Sequence, residues 1–296
     1  MHLITFESKR TVGSQVGIVL GERVVPLSLL GNFPDTMLEL IKLGSKELRR
    51  VRKALREQRD LVSSLPLADT TLLAPIPRPT KNVICLGWNY SAHADESGRA
   101  TGQKVELPEH PVVFTKAPTA VNKPYGDVVY NRRLTRQLDW EVELGVIIGR
   151  PGKTIPVKSA LNYVFGYTVI NDISARDLQQ RHRQFFLGKS LDGACPMGPW
   201  IVTADEIPDP QGLTLRSYVN DALKQNGTTA DQIFTVAQTI SILSQGMTLE
   251  AGDIIATGTP DGVGSARTPP EFLEPDDVVV CEISGIGLIR NRIVAI

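Results

Sequence analysis

Histidine and cysteine are scarce in this chain of 296 residues, with four of the first and three of the second. The three cysteines, Cys85, Cys195 and Cys281, are odd in number, far apart and form no C-x-x-C pair. That spacing excludes a disulfide framework and a zinc cluster, and suits reduced thiols in a cytosol, each acting as a small buried hydrophobe. No apolar run approaches the roughly 18 residues needed to span a bilayer. The opening "MHLITFESKR" lacks an apolar stretch before a small-residue cleavage site, so no secretory signal is read there and a cytoplasmic location is expected. Charge of one sign is missing too. Lys plus Arg and Asp plus Glu each number 32, leaving no net field to draw the chain to nucleic acid or to an anionic membrane. A small-molecule partner is the remaining expectation.

The length allows one large domain with a substantial core, or a large one with a small companion. Residues 1–73 read as a small α/β N-terminal domain. It has strands at "HLITFE" and "VGIVLGERVVPL", then helical patterns at "TMLELIKLG" and, behind a serine cap, "SKELRRVRKALREQRDLVSSL". The proline-rich "LLAPIPRPTKN" marks a boundary, and residues 74–296 form the second domain. There, β-rich runs separated by Gly, Pro, Asp and Asn turns dominate, among them "NVICLG", "PVVFTKA", "EVELGVIIG", "NYVFGYTVIND" and "DDVVVCEIS". Helical patterns are few, at about 174–183 and 231–244. The fold class is therefore α+β and β-dominated, without the regular alternation of a doubly wound sheet. No internal repeat or low-complexity tract is present.

Within "QLDWEVELGVIIG" (137–149), Glu141 and Glu143 alternate on one face of a strand, ~6.5–7 Å apart, and the run continues into residues that demand burial. Buried carboxylates need a partner. A third acid, Asp172, ends the apolar strand "FGYTVIND". Three carboxylates with open coordination positions suit a hard divalent cation, Mg²⁺ or Mn²⁺. In "LGWNYSAHADESG" (86–98), His93 and Glu96 are one helical turn apart, so the carboxylate can orient the imidazole as a base. The segment from Ser91 to Pro108 is polar and has the size of a lid loop. His2, His110 and His182 read as surface residues. Lys189 is presented from a loop, and "TGTPDGVG" (257–264) is a glycine-rich turn whose amides and hydroxyls suit a carboxylate. Nucleotide binding is disfavoured, because neither that turn nor "GKS" (188–190) completes a P-loop.

Six stretches, in order, resemble the fumarylacetoacetate hydrolase superfamily. They are "GWNYSAHADE", "PVVFTKAPTAV", "LDWEVELGVIIG", "GYTVINDISARDLQ", "GKSLDGACPMGPW" and "LEAGDIIATGTPDGVG". The resemblance spans residues ~75–296. It implies a mixed β-roll for the larger domain and a homodimer. It further implies Glu141, Glu143 and Asp172 as ligands of Mg²⁺ or Mn²⁺, with His93 and Glu96 as a general-base dyad on a closing lid. Lys189 would contact the metal-bound oxygens or the substrate, Thr259 with Gly258 the substrate carboxylate, and Gln179 with Arg176 the rest of the substrate. Trp88, Arg176, Phe185 and Phe186 would set the size of the pocket.

Such a site implies chemistry on a short 2-oxo acid. An enolate formed at C3 serves loss of CO₂ from oxaloacetate, hydrolysis of an acylpyruvate, and keto-enol or double-bond isomerisation. Within the superfamily the chain is most similar to oxaloacetate decarboxylases and acylpyruvate hydrolases, so C–C cleavage of a short 2-oxo acid, oxaloacetate first, is the leading expectation. The alternatives are a 2-hydroxyhepta-2,4-diene-1,7-dioate isomerase or decarboxylase and, in another class, a non-catalytic 2-oxo acid binder.

Overall fold

The computed structural model describes residues 1–9, 12–57, 63–101 and 107–296. In chain order the strands and helices are β1 (His2–Ser8), β2 (Gln15–Leu20), β3 (Arg23–Pro26), α1 (Met37–Glu57), β4 (Leu65–Pro66), β5 (Thr70–Leu72) and β6 (Val83–Gly87). Next come α2 (Ser91–Thr101), β7 (Val112–Lys116), β8 (Val121–Asn122), β9 (Val128–Tyr130), β10 (Leu138–Asp139), β11 (Val142–Ile148), α3 (Val157–Ala160) and β12 (Val164–Asn171). Then follow β13 (Ser174–Ala175), α4 (Arg176–Arg181), α5 (Phe186–Lys189), β14 (Cys195–Thr203), β15 (Thr214–Val219) and β16 (Ala222–Thr228). The chain closes with α6 (Val236–Gly246), β17 (Ile254–Ala256), β18 (Val278–Ile283) and β19 (Gly287–Ala295).

Twelve strands form one mixed sheet, with the main order β4-β3-β2-β1-β14-β12-β11-β17-β6-β7. Five more, β16-β15-β18-β19-β9, form a second sheet. β11 lies at the centre, paired antiparallel with β12 and with β17. All seven of its residues are buried, which is why its apolar run is nearly continuous rather than alternating. Val142, Leu144, Val146 and Ile148 join a core shared with Val279, Cys281, Ile289 and Ile293 of the second sheet. Ile147, on the other face, belongs to a separate cluster. Glu143 therefore faces away from the inter-sheet core, where a pocket can form.

The boundary expected near residue 73 falls between β5 and β6, but the large sheet is continuous across it. β1 pairs with β14, placing His2 opposite Val202 and Leu3 opposite Ile201. One core cluster joins Leu3, Ile18, Leu40 and Val51 to Cys85, Cys195 and Ile254. We propose that residues 1–73 are fused to the larger part as an extension of its sheet and do not fold separately.

Helices sit close to their expected places with shifted ends. Thr36 caps α1 by accepting from the Glu39 amide (3.3 Å), and Gly44 (φ 68°, ψ −157°) breaks α1 ahead of Ser45. The helical pattern expected to run on to residue 65 is described only to Glu57. Its next residues, 58–62, lie outside the described residues, and Leu65–Pro66 is a strand. The helix expected at 231–244 starts at Val236, behind a Thr235–Gln238 capping box. The expected 174–183 helix shrinks to α4 because Ser174 and Ala175 pair with β10. Strand β16 was not anticipated, since "ALKQNGT" has no apolar alternation. It pairs with β15 across a turn at Asn220 and Asp221, both at positive φ. All three cysteines are free and buried. No described helix is long and apolar enough to cross a membrane.

A chain beginning at residue 74 loses β1 and bares the edge of β14, together with half of an apolar cluster. It is expected to be recovered as aggregate, or to lack a cooperative thermal transition by circular dichroism. Recovery of a soluble, cooperatively melting fragment would show instead that residues 1–73 are dispensable for folding.

Candidate metal centre and active site

The antiparallel pairing of β11 with β12 places Val142 opposite Asn171. One residue further out, the Asp172 amide donates to the Glu141 carbonyl (2.9 Å). The same register brings three side chains together: Glu141, Glu143 and Asp172 offer carboxylate oxygens within 4.8 Å of one another, and all three are buried. At that distance each like-charge pair costs roughly 3–4 kcal/mol at an effective dielectric of about 20.

Basic side chains offset most of this repulsion. Lys189, at the end of α5, donates to Glu141 Oε2 (2.7 Å) and Asp172 Oδ2 (2.9 Å). Lys116, the last residue of β7, donates to Asp172 Oδ1 (2.6 Å) and the Ile173 carbonyl (3.0 Å). Arg176 lies 2.7 Å from Glu141 Oε1 through Nη1 and 2.8 Å from Asp139 Oδ2 through Nε. Asp139 also accepts from the amides of Trp140, Gly264 and Ser265. Four buried carboxylates thus face three buried basic side chains, and the shortfall falls on Glu143. Among the described residues it forms no ion pair, and accepts from the Gly258 amide (2.8 Å).

Burial raises the Glu141 carboxyl, but Lys189 and Arg176 override it and hold the group at about 2. Glu143 moves the other way. Burial first, then repulsion from Asp172 and Glu141, push it well above the usual carboxylate range. A group of acids short of one positive charge, all oxygen donors, with Glu143 open to a cavity, fits a hard divalent cation. The residues present are consistent with a divalent-metal site.

The cavity beside the triad has a volume of about 670 Å³ and is lined by residues including His93, Glu141, Glu143, Arg176, Gln179 and Thr259. His93 and Glu96 both fall on α2, where the i, i+3 spacing puts Nδ1 2.8 Å from Glu96 Oε1. The other Glu96 oxygen accepts from the Gly262 amide (2.9 Å), so the helix is docked on the glycine-rich turn. Of the rest of the expected lid, residues 102–106 lie outside the described residues, and Leu107 and Pro108 lead without regular structure toward β7. Thr259 reaches the cavity, but its hydroxyl donates to the Val142 carbonyl (2.9 Å) and accepts from Gln225 Nε2 (2.7 Å). Gly258 adopts φ +93°, and a Cβ there would meet Asn89 Cβ at 2.8 Å, so only glycine can present its amide to Glu143. Gln179 accepts from Arg176 Nη1 (3.2 Å). Trp88 and Phe185 line the same cavity, whereas Phe186, expected beside them, is exposed and does not. His2 stacks on Trp200, away from the site.

Two residues with a part in this arrangement were not singled out from the sequence. Asp139 continues the alternation of Glu141 and Glu143 one step upstream, a signal present in "LDWEVE". Lys116 ends "PVVFTK" two residues beyond Phe114, so an ammonium shares a strand face with an aromatic ring; an unpaired lysine in such a run demands a buried acid.

The family model for the fumarylacetoacetate (FAA) hydrolase C-terminal region matches residues 82–294. The oxaloacetate tautomerase YisK of Bacillus subtilis is 46% identical over 270 residues, covering 89% of this chain and 88% of that protein. Among solved structures, the fumarylacetoacetate hydrolase of Exiguobacterium antarcticum superposes with a TM-score of 0.85 at 38% identity, covering all of both chains. The maleylpyruvate hydrolase of Sphingobium sp. SYK-6, solved with manganese(II) and pyruvate, superposes at 0.80 with 30% identity, covering 100% of this chain and 99% of that one. A β-dominated mixed fold is the architecture the chain shares with these structures. The chain belongs to the fumarylacetoacetate hydrolase family.

Glu143→Gln retains an acceptor for the Gly258 amide and removes the uncompensated charge. The metal-free variant is expected to melt higher than the metal-free parent, since like-charge repulsion is relieved. The rise in Tm on adding Mn²⁺, about 2.7 kcal/mol of stabilisation at a hundredfold excess over Kd for a single site, is expected to vanish. An undiminished Mn²⁺-induced shift, read by differential scanning calorimetry, would remove Glu143 from the site.

Proposed function

We propose that this chain is a divalent-metal-dependent enzyme acting at C3 of a short 2-oxo acid, with oxaloacetate as the first candidate. The observation that carries the proposal is the convergence of Glu141, Glu143 and His93 on one cavity, with Asp172 within 4.8 Å of the two acids and Glu96 bonded to the imidazole behind them. Glu141, Glu143 and Asp172 would hold the cation, Mg²⁺ or Mn²⁺, and Mn²⁺ finds support in the manganese complex of the maleylpyruvate hydrolase. When bound, such a cation supplies Lewis-acid stabilisation to the enolate of a 2-oxo acid.

The protein's own groups do the rest. Glu96, fixed by the Gly262 amide, orients His93 through Nδ1 and leaves Nε2 to take or return a proton at C3. Lys189 holds the Glu141 and Asp172 oxygens in place and offers a positive charge where negative charge develops. Arg176 and Gln179 would bind the distal part of the substrate, and the Gly258–Thr259 turn its carboxylate. Leading the sequence expectation was C3–C4 cleavage of oxaloacetate, while the Bacillus relative is named a tautomerase of the same acid. Both reactions use the same enolate. We assign keto-enol interconversion first on that similarity, with release of CO₂ as a second outcome of the same site. Hydrolysis is a further reading favoured by the His–Glu pair and by the likeness to a maleylpyruvate hydrolase; there His93 would activate water for attack at C4. We further propose a homodimer, on the family resemblance.

The test supplies metal-stripped protein with Mg²⁺ or Mn²⁺ and follows three readouts together: decay of the oxaloacetate enol, pyruvate release from oxaloacetate, and cleavage of acetylpyruvate and fumarylpyruvate. Rates are corrected for free metal. Enol decay well above background is expected, and His93→Ala should lower kcat by about 10²–10⁴-fold while Mn²⁺ affinity stays within about twofold. Background rates for every acid, with metal demonstrably bound, would sink the enzyme reading in favour of a 2-oxo acid binder.

A further inference from the structure

The cavity has two unlike walls. One is polar, with Arg176, Gln179, Gln180 and Arg183, and suits the second carboxylate of a dicarboxylic acid. The other is aromatic. Lys189 Nζ, 2.7 Å from Glu141 Oε2, lies 5.0 Å from the centroid of the Phe114 ring, so this wall begins beside the carboxylates. Phe114 meets Phe185 edge to face at 5.4 Å, and Phe185 meets Trp88 edge to face at 6.2 Å.

Core packing accounts for Phe114, which lies against a buried apolar cluster, but not for the two outer rings. Neither Trp88 nor Phe185 belongs to the buried apolar clusters, and both are partly open to the cavity. Trp88 moreover sits at φ +53°, a left-handed conformation that a bulky residue rarely adopts and that tends to persist where function needs it. It immediately follows Gly87, the end of β6, and precedes the buried Asn89, whose side chain bonds to both Phe234 backbone groups and to the Thr257 carbonyl. That anchor holds the turn, and with it the indole, in place. A four-carbon dicarboxylate has no use for the two outer rings, Trp88 and Phe185. At about 670 Å³ the cavity also falls in the range of pockets that enclose much larger ligands, roughly 300–1,000 Å³.

We propose that this site also tautomerises 3-aryl-2-oxo acids, with the 2-oxo acid end at the carboxylates and the aryl ring against Phe185 and Trp88. The inference rests on the reading of the site given above and extends its substrate class. In the keto-to-enol direction His93 takes a proton from C3, and the C3–H electron pair becomes the C2–C3 double bond. The carbonyl π pair moves to the C2 oxygen, which takes up a proton, and the reverse sequence returns the keto form. The reaction is an isomerisation, so no oxidant, reductant or water is consumed. An aryl group on C3 helps by conjugating with the new double bond, and edge-to-face contact with the wall favours the planar enol.

The experiment uses the full chain loaded with Mn²⁺ and follows decay of enol absorbance for phenylpyruvate and oxaloacetate in parallel, corrected for buffer catalysis. Saturable acceleration of both is expected. In Trp88→Ala and in Phe185→Leu, the ratio of kcat/KM for phenylpyruvate to that for oxaloacetate should fall at least tenfold, with the Mn²⁺-induced rise in Tm of each preparation reporting folded sites. Turnover of oxaloacetate but not of phenylpyruvate would overturn this inference and leave the proposed function standing. Turnover of both with the ratio unchanged in both variants would overturn the role of the aromatic wall. If neither acid turns over with Mn²⁺ bound, the underlying reading of the site fails and the inference falls with it.

Discussion

Mutual repulsion among Glu141, Glu143 and Asp172 is the constraint around which the rest is arranged. Antiparallel pairing of β11 and β12, driven by apolar residues packed on both faces, forces the three acids together whatever their charge prefers. The sequence around them then supplies compensation from four separate places: Lys116 from β7 at the edge of the same sheet, Lys189 and Arg176 from short helices, and the Gly258 amide from a turn. Compensation stops one charge short. That deficit makes the pocket a receptor for a cation, where full neutralisation would make it an inert buried salt-bridge network.

The same elements tie the base to the acids. Asp139 uses one carboxylate to hold Arg176, and so Glu141, and to accept amides from the turn at Gly264 and Ser265. The 3-10 turn Gly264–Ala266 starts two residues beyond Gly262, whose amide fixes Glu96. Cation site and proton-transfer pair are therefore joined through one glycine-rich segment. The link runs from the Glu96 side chain through the backbone of residues 262–265 to the Asp139 carboxylate, and from there through Arg176 to Glu141.

Much of this was legible in the sequence because it follows from periodicity. Alternation in "EVE" puts two acids on one face, and a spacing of three residues puts Glu96 under His93. These are local geometries that a strand or helix must produce. Asp139 obeys the same alternation, but its partners, Arg176 and the Gly264 and Ser265 amides, are remote in sequence and leave no local signal. Lys116 was harder, because its partner Asp172 is 56 residues away and only the folded sheet joins them. The continuity of the N-terminal strands with β14 is of the same kind. Proline punctuation marks where a chain turns, but carries nothing about which strand edge it will meet next. β16 escaped for a different reason: polar residues can form a strand when a tight turn and a paired neighbour supply the order their side chains do not.

Glu96 is held by a backbone amide, and Gly262 sits at φ +100° where a Cβ would come within 2.2 Å of the Lys224 carbonyl. An amide cannot be mutated away, so drift in side chains nearby leaves this latch untouched. Its vulnerability is concentrated in two positions, Glu96 and Gly262. The pocket walls and the device that seats the base are thus set by different residues, and a change in the one need not disturb the other while Glu96 and Gly262 are kept.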